Sequence, residues 1–285
     1  MTADATGLRS GIDLSALDDA VRPQDDLYRH VNGRWLDQHE IPADRAMDGA
    51  FRALHDLSEE RVRAIITDLA ATEGLDPAST PAKIGALYAG FLDTERVERL
   101  GTEPVADELA QIAGAATPAD LVGVLGTLQR TGGGGAVAFY VDNDAKDPET
   151  YVTYLVQGGL GLPDEAYYRE DQYAPVRSTY APHVARMLGI AGVSADSSWG
   201  VDAEDAAARV LALETKLAAH HWDVVRDRDA DLTYNPMTLA DLVARAPGFD
   251  WRAWAEALGA PAGSLEALVV REPSFATGFA ELWTS

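Results

Sequence analysis

Apolar residues recur at helical spacing along most of this chain. The clearest case lies between residues 25 and 38, where apolar positions share one helix face and charged residues occupy the other. That face comprises Leu27, Tyr28, Val31, Trp35 and Leu36. Pro42 follows soon after, and the residue before a proline avoids the α region, so the helix must end there. Similar patterns predict helices over about 51–69, 81–92, 103–113, 118–130, 202–222, 238–248 and 251–258.

The pattern changes in the middle of the chain. Residues 136–141 and 151–157 are rich in aromatic and β-branched residues, and the polar sequence DNDAKDPE lies between them, which predicts a β-hairpin with a long loop. From about residue 173 the helical period returns and continues to the end. Thr117 and Thr238 each precede an aspartate by three residues, an arrangement that favours helix starts. The predicted fold is mainly α, a multi-helix lobe with one small β-hairpin or sheet element.

Charge excludes some classes of partner. Forty-six acidic residues against 23 basic ones give a net charge of −23, whereas nucleic acids and anionic membranes select basic surfaces. The acidity is also typical of a generally acidic proteome, and a preference for cationic peptides stays open. There is no cysteine, no secretory leader pattern at the N-terminus, and no apolar run of membrane-spanning length. These features predict a soluble, cytoplasmic protein, with leaderless export left open.

Three ordered segments resemble one protein family. They are DDLYRHVNGRWLDQHEIPAD at 25–44, GLGLPDEAYY at 159–168, and LETKLAAHHWDVVRDRDADLTYNPMTLADL at 213–242, which PGFDWRAW at 247–254 extends. Together they are similar to the neprilysin and oligopeptidase O family of zinc metallopeptidases, most of all to its cysteine-free actinobacterial members. In that family a thermolysin-like catalytic lobe and a helical lobe enclose a substrate chamber. The resemblance implies peptide substrates, and zinc in the complete enzyme.

The resemblance also implies a division of this chain. Residues 1–15 are expected to form a flexible lead-in, and residues 16–45 a segment that packs on a catalytic lobe absent from the chain. Residues 46–285 would then be the helical, substrate-enclosing lobe, incomplete at its C-terminus, because helical periodicity is still running in TGFAELWTS. The missing C-terminal catalytic portion is the expected partner.

The zinc chemistry of such enzymes needs an HExxH motif, in which two histidines one helical turn apart bind the metal and the glutamate activates water. No two of the six histidines here are four residues apart. His39-Glu40 is followed by Pro42, which favours an exposed histidine at a helix end. His220, Asp223 and Asp227 have spacing that would suit one helix face but lack a glutamate base. We therefore assign no catalytic or metal-binding residue and no cofactor to this chain.

Other polar positions favour structural roles. Glu214 interrupts the apolar stripe of the 202–222 helix, which favours a structural ion pair between helices over catalysis. His221 is expected to be a packed or capping histidine. The Gly132–Gly135 run lacks the lysine and the strand–loop–helix order of a phosphate loop, so it predicts a helix terminator. Asp142 and Asp144 resemble a calcium loop in part, but Thr153 stands where its glutamate would be, which favours a hairpin.

One departure from the family concerns substrate binding. Neprilysin-like members use an arginine and an aspartate just after the Ile-Pro step to bind the C-terminal carboxylate of the substrate, and here those positions hold Met47 and Arg52. Arg45 could replace the arginine only if the loop shifted, so the substrate-binding residues stay unknown. The sequence thus predicts the N-terminal portion of a zinc metalloendopeptidase that hydrolyses oligopeptides, inactive alone. The alternative is a non-catalytic helical module that binds peptides or proteins.

Overall fold

The computed structural model describes residues 14–285. It divides into two compact units, residues 1–97 and 98–285, which are described separately here. Most of the predicted lead-in, residues 1–15, lies outside the described residues. The predicted division at residue 45 stays a prediction.

The first unit is helical wherever it has regular structure among residues 14–97. Helices α1 (Leu27–Gln38), α2 (Ala50–Ala71) and α3 (Thr80–Leu92) lie close to their predicted positions. The Asp26 side chain caps α1 by accepting a hydrogen bond from the Arg29 backbone at 2.9 Å. Helices α2 and α3 pack closely at Gly85, where an added Cβ would lie 2.9 Å from the Leu69 carbonyl oxygen. Helix α4 spans Thr94–Leu100.

The apolar faces of this unit are largely exposed to solvent. Phe51 on α2 is 92% exposed, and Phe91 on α3 is 79% exposed. Leu27 and Tyr28, which belong to the predicted apolar face of α1, are exposed as well. The predicted packing of residues 16–45 on a catalytic lobe stays a prediction.

The second unit carries the remaining helices of the described chain. They are α5 (Ala106–Gly114), α6 (Pro118–Arg130), α7 (Ala166–Arg169), α8 (Ala174–Ile190), α9 (Ala203–Ala218), α10 (Leu239–Arg245), α11 (Trp251–Leu258) and α12 (Pro273–Trp283). Thr117 and Thr238 both form capping boxes, in which the threonine and the aspartate three residues later bond each other's backbone amide. The predicted helix over 202–222 ends earlier, at Ala218.

A four-stranded sheet lies among these helices, in the order β1-β2-β4-β3. Its strands are β1 (Val137–Asp144), β2 (Asp147–Gln157), β3 (Pro236–Met237) and β4 (Leu268–Val270). Strands β1 and β2 form the predicted hairpin, β4 runs parallel to β2, and β3 is antiparallel to β4.

The sheet corrects two expectations. The predicted long loop is wrong, because both strands continue through most of DNDAKDPE and only Ala145 and Lys146 connect them. The expectation of helix from residue 173 to the end is also wrong, since it missed β3 and β4. A three-residue apolar run such as β4 has no periodicity of its own, so its sequence does not distinguish a buried strand from a buried helix segment.

The core of the second unit is built from aromatic side chains on α11 and α12 against the sheet. Trp251 is 0% exposed and Phe275 is 2% exposed, and both belong to one buried cluster with Leu268 and Val270 of β4. The fold class is therefore confirmed as mainly helical with one small sheet. Among the helices of residues 14–285, none combines the length and apolar character needed to cross a bilayer.

Close contact between α6 and α11 gives a test of this packing. An added Cβ on Gly126 would lie 2.6 Å from the Trp254 carbonyl oxygen, whereas one on Gly123 of the same helix would meet no atom within 4 Å. We expect G126A to lower the free energy of unfolding by about 1–3 kcal/mol, because the helices must separate. The matched control G123A should raise it by roughly 0.5–1 kcal/mol, because alanine is the better helix former. Urea unfolding of both variants measures the difference, and equal effects would contradict the packing.

Candidate functional site

The segment after the Ile-Pro step lines an open cavity in the first unit. The cavity has a volume of about 620 Å³ and is formed by residues 44–52 together with His55. It includes both positions at which this chain departs from the family. Met47 is 76% exposed at its edge and offers no charge to a substrate.

The two arginines of this segment are already paired. Arg45 Nη1 lies 2.7 Å from Asp56 Oδ2, and Arg52 Nε lies 3.3 Å from Asp56 Oδ1. The hydrogen bond to Asp56 raises the pKa of Arg45 above its ordinary value. One carboxylate thus neutralises part of the positive charge of both arginines. Either of them would have to leave Asp56 before it could bind the carboxylate of a peptide.

His39 lies at the end of α1, as predicted. It is the C-cap residue, and its ring stacks on Trp35 with the ring centroids 4.5 Å apart. Its Nε2 atom is 2.8 Å from Asp48 Oδ2. The ring therefore connects α1 to the loop before α2.

One group of side chains in the described part of the chain has ligand atoms close enough to hold a metal ion. His55, Asp56 and Glu59 on α2 place these atoms within 4.8 Å of one another. The group does not fit a catalytic zinc site, because it contains one histidine, is open to solvent, and has its central carboxylate bound by two arginines.

His220, Asp223 and Asp227 do not share a helix face. Helix α9 ends at Ala218, before any of them. The His220 ring instead lies against Gly278 in α12. The Asp223 carboxylate accepts hydrogen bonds from the next turn of its own backbone, including the amide of Arg226 at 2.9 Å. The candidate metal cluster is therefore not formed.

His221 is a packed histidine, as predicted. Its Nε2 atom lies 3.0 Å from the Gly158 carbonyl oxygen, and its ring meets Phe275 edge to face with the centroids 4.7 Å apart. Burial lowers the pKa of His221 below its ordinary value. The neutral ring, donating from Nε2, therefore fixes the residues after α9 to the end of β2.

Glu214 has a structural role, but the predicted ion pair is wrong. Its carboxylate accepts hydrogen bonds from Tyr168 at 2.8 Å and from Tyr180 at 3.0 Å. These contacts tie α9 to both α7 and α8. Burial, and then the hydrogen bond to Glu214, raises the pKa of Tyr180 to about 12, so its hydroxyl keeps its proton in ordinary buffers. Gly161 is required beside this group, because an added Cβ would collide with the Tyr180 hydroxyl.

The remaining sequence candidates are structural as well. Gly132, with a φ of +98°, lies directly after the C-cap residue of α6, as expected of a helix terminator. Asp144 accepts a hydrogen bond from the Tyr234 hydroxyl at 2.9 Å, which fixes the hairpin to the segment just before β3. These residues serve the helix end and the hairpin, as the sequence predicted.

The sequence did not single out the most buried charged cluster of the second unit. Arg271 follows β4 directly, and the side chain of Glu272 after it is fully buried. Both face Asp227, which comes from a turn 44 residues before Arg271. The available signal was an arginine and a glutamate between an apolar run and the proline that opens α12.

The Glu214 cluster can be tested by substitution. We expect E214A to lower the free energy of unfolding by about 2 kcal/mol, because two partly buried hydroxyls lose a charged acceptor. K216A, an exposed change on the same helix, is the control and should stay within about 0.5 kcal/mol of the unmodified protein. Thermal unfolding monitored by circular dichroism gives both values. Similar effects of the two substitutions would show that the tyrosine contacts contribute nothing.

Known proteins share sequence similarity with most of this chain. The sequence profile of Peptidase family M13 (its N-terminal region) matches residues 23–285. Endothelin-converting enzyme-like 1 of Mus musculus is 28% identical over 252 residues, and Neprilysin-3 of Drosophila melanogaster is 26% identical over 250. These matches cover 83% and 84% of this chain but only 31% of each relative. The chain thus spans about a third of the length of these curated relatives.

Solved structures give the same result. The zinc metalloprotease Zmp1 of Mycobacterium tuberculosis, determined with an inhibitor, is 50% identical, with a TM-score of 0.77. That match covers 96% of this chain and 41% of Zmp1. PepO from Lactobacillus rhamnosis HN001 has the same fold, with a TM-score of 0.62 at 24% identity. This chain belongs to peptidase family M13 and corresponds to the N-terminal part of its members.

Proposed function

We propose that this chain is the N-terminal portion of a zinc metalloendopeptidase that hydrolyses oligopeptides. The observation that supports the proposal most is the 50% identity to Zmp1, a zinc metalloprotease, over 96% of this chain. At that level of identity the relative's class of chemistry is the best guide to that of the complete protein. No feature of the second unit favours a separate, non-catalytic binding function.

In this proposal the zinc ligands and the general base come from sequence outside residues 1–285. The histidines of this chain lack the required spacing, and the cluster around Asp56 is bound by arginines. The role proposed for the present residues is to enclose the peptide. Peptides and the catalytic portion are the proposed partners, and the net charge of −23 disfavours nucleic acid and anionic membrane. The cytoplasmic location stays a prediction, which cell fractionation tests.

The isolated chain provides the first test. We expect purified residues 1–285 to leave fluorogenic oligopeptides uncleaved and to retain no stoichiometric zinc after dialysis, since the residues present do not form a zinc site. Peptide cleavage assays and elemental analysis measure the two quantities. H55A controls for weak zinc binding at the exposed cluster on α2. Cleavage by the unmodified chain that a chelator abolishes would overturn the proposal.

The gene provides the second test. The proposal requires an HExxH motif in the same reading frame on the 3′ side of the codon for Ser285. Genomic sequencing of that region decides the matter directly. A reading frame without such a motif would remove the catalytic part of the proposal and leave the family membership unaffected.

The residues at positions 47 and 52 predict whether the complete enzyme prefers peptides with a free C-terminal carboxylate. Because Met47 carries no charge and Arg52 is held by Asp56, we expect peptides with a free C-terminal carboxylate and their amidated forms to be cleaved with equal kcat/KM. M47R should create a preference for the free acid through a lower KM. A strong preference for the free acid in the unmodified enzyme would contradict this expectation.

A further inference from the structure

Glu272 is a fully buried acid at the junction of the sheet and α12. Its side chain is 0% exposed. One carboxyl oxygen, Oε2, accepts a hydrogen bond from the Gln157 backbone amide at the end of β2, at 2.8 Å. The other, Oε1, lies 3.4 Å from Arg271 Nε. The side chain thus joins the start of α12 to the end of a central strand.

A second carboxyl group meets it from the turn after α9. Asp227 lies in the turn Arg226–Arg228, and its carboxyl group meets that of Glu272 at Arg271, because both carboxyl groups contact the same guanidinium group. Arg271 Nη2 lies 2.9 Å from the backbone oxygen of Asp227 and 3.2 Å from its Oδ1. The guanidinium group of Arg271 therefore contacts two carboxyl groups, and one of them, that of Glu272, is fully buried.

The charges in this cluster require a proton. Two ionised carboxylates in contact repel each other, and a single arginine leaves one negative charge uncompensated in a buried site. Tyr140 of β1 also faces Arg271, and Asp164, Glu165 and His221 line the cavity that Asp227 lines. Arg226 is directed elsewhere, over the Trp222 ring at 3.7 Å.

Of the two carboxyl groups, that of Glu272 is the one that carries the proton. Asp227 is partly exposed and bonded to Arg271, so it is the carboxyl group that more readily keeps its charge. Burial, and then the contact with Asp227, raises the pKa of Glu272 to about 8. The hydrogen bond from Glu272, in turn, lowers the pKa of Asp227. Glu272 therefore donates its proton to Asp227 while its Oε2 accepts from Gln157.

We propose that Glu272 and Asp227 share one proton at neutral pH, and that this proton holds the turn of residues 223–229 against the sheet. Loss of the proton at alkaline pH breaks the carboxyl–carboxylate hydrogen bond and places two negative charges in contact. The turn then opens from the end of β2. The pair is a pH-sensitive latch within the second unit.

Opening of the turn also affects the contacts around Gln157 and a neighbouring cavity. The Gln157 side chain bonds the backbone of Trp222 in both directions, accepting from its amide at 2.7 Å and donating to its carbonyl oxygen at 3.0 Å. Gln157, Trp222 and Asp227 also line a cavity of about 300 Å³, closed on the other side by residues 158–165. Movement of the turn therefore changes the width of this cavity.

Because the pKa of Glu272 is raised in the closed state, the stability that this group contributes decreases as the pH rises. A carboxyl group whose pKa is higher in the closed state contributes its full stability below the ordinary value of 4.5, and loses it as the pH rises to about 8. Over that window, the equilibrium constant for opening the turn should rise about tenfold for each pH unit. Above about pH 8 it should level off.

The proton can be observed directly by NMR of the unmodified chain. With ¹³C-labelled glutamate, one side-chain carboxyl carbon should titrate near pH 8, apart from all the others. That signal should be absent from E272Q. In D227N the same carbon should titrate at a lower pH, because the new amide can donate a hydrogen bond to an ionised Glu272. If every glutamate titrates in the ordinary acidic range, the proposal is wrong, and this result depends on no variant.

Amide hydrogen exchange, corrected for the intrinsic effect of pH, measures opening of the turn. Residues 222–229 should lose protection between pH 5 and 8 in the unmodified chain, and E272Q should remove that pH dependence, because glutamine is neutral and keeps both hydrogen bonds. E165Q is the matched control, since Glu165 is a buried acid paired with Arg169, and it should retain the pH dependence. Protection that does not change with pH, or an E272Q variant that behaves as the unmodified chain, would disprove the latch.

Discussion

Strand β4 is the element on which the second unit depends. It is only three residues long, Leu268–Val270, and all three are buried. It pairs with β2 on one side and β3 on the other, so it joins segments that are far apart in sequence. A strand enclosed in this way must satisfy its backbone through both neighbours, because no water reaches it. The position of β4 thereby fixes where Arg271, Glu272 and the start of α12 lie.

Amide side chains extend this arrangement to the helices. Gln129 at the end of α6 donates to the Val137 carbonyl oxygen in β1 at 2.7 Å and accepts from the Trp254 indole of α11 at 2.7 Å. Gln157 joins β2 to Trp222 after α9 in the same manner. In residues 14–285, no buried side-chain nitrogen or oxygen atom lacks a hydrogen-bond partner. Such satisfied polar contacts select one arrangement of helices around the sheet, since any other leaves these groups unpaired.

In the first unit, by contrast, the arginines near the cavity are paired and many large apolar side chains are exposed. Its arginines near the cavity are held by Asp56, and large apolar side chains such as Phe51 and Phe91 are open to solvent. Apolar exposure of this extent is typical of surfaces that meet another protein segment. The chain spans 31% of its curated relatives, so this exposure is consistent with the proposed role as one part of a larger peptidase.

The sequence by itself determined most of the helices, several of their starts and the family. Periodicity and capping are local, so α1, α6 and the capping boxes at Thr117 and Thr238 could be predicted from neighbouring residues. Only the tertiary structure decided the sheet beyond the hairpin and the partners of the buried acids. Strand pairing and burial bring distant residues together and leave no local signal. The interruption at Glu214 was visible in the sequence, but its two tyrosines were not. The meeting of Glu272 with Asp227 likewise depends on where β4 and the turn after α9 come to lie.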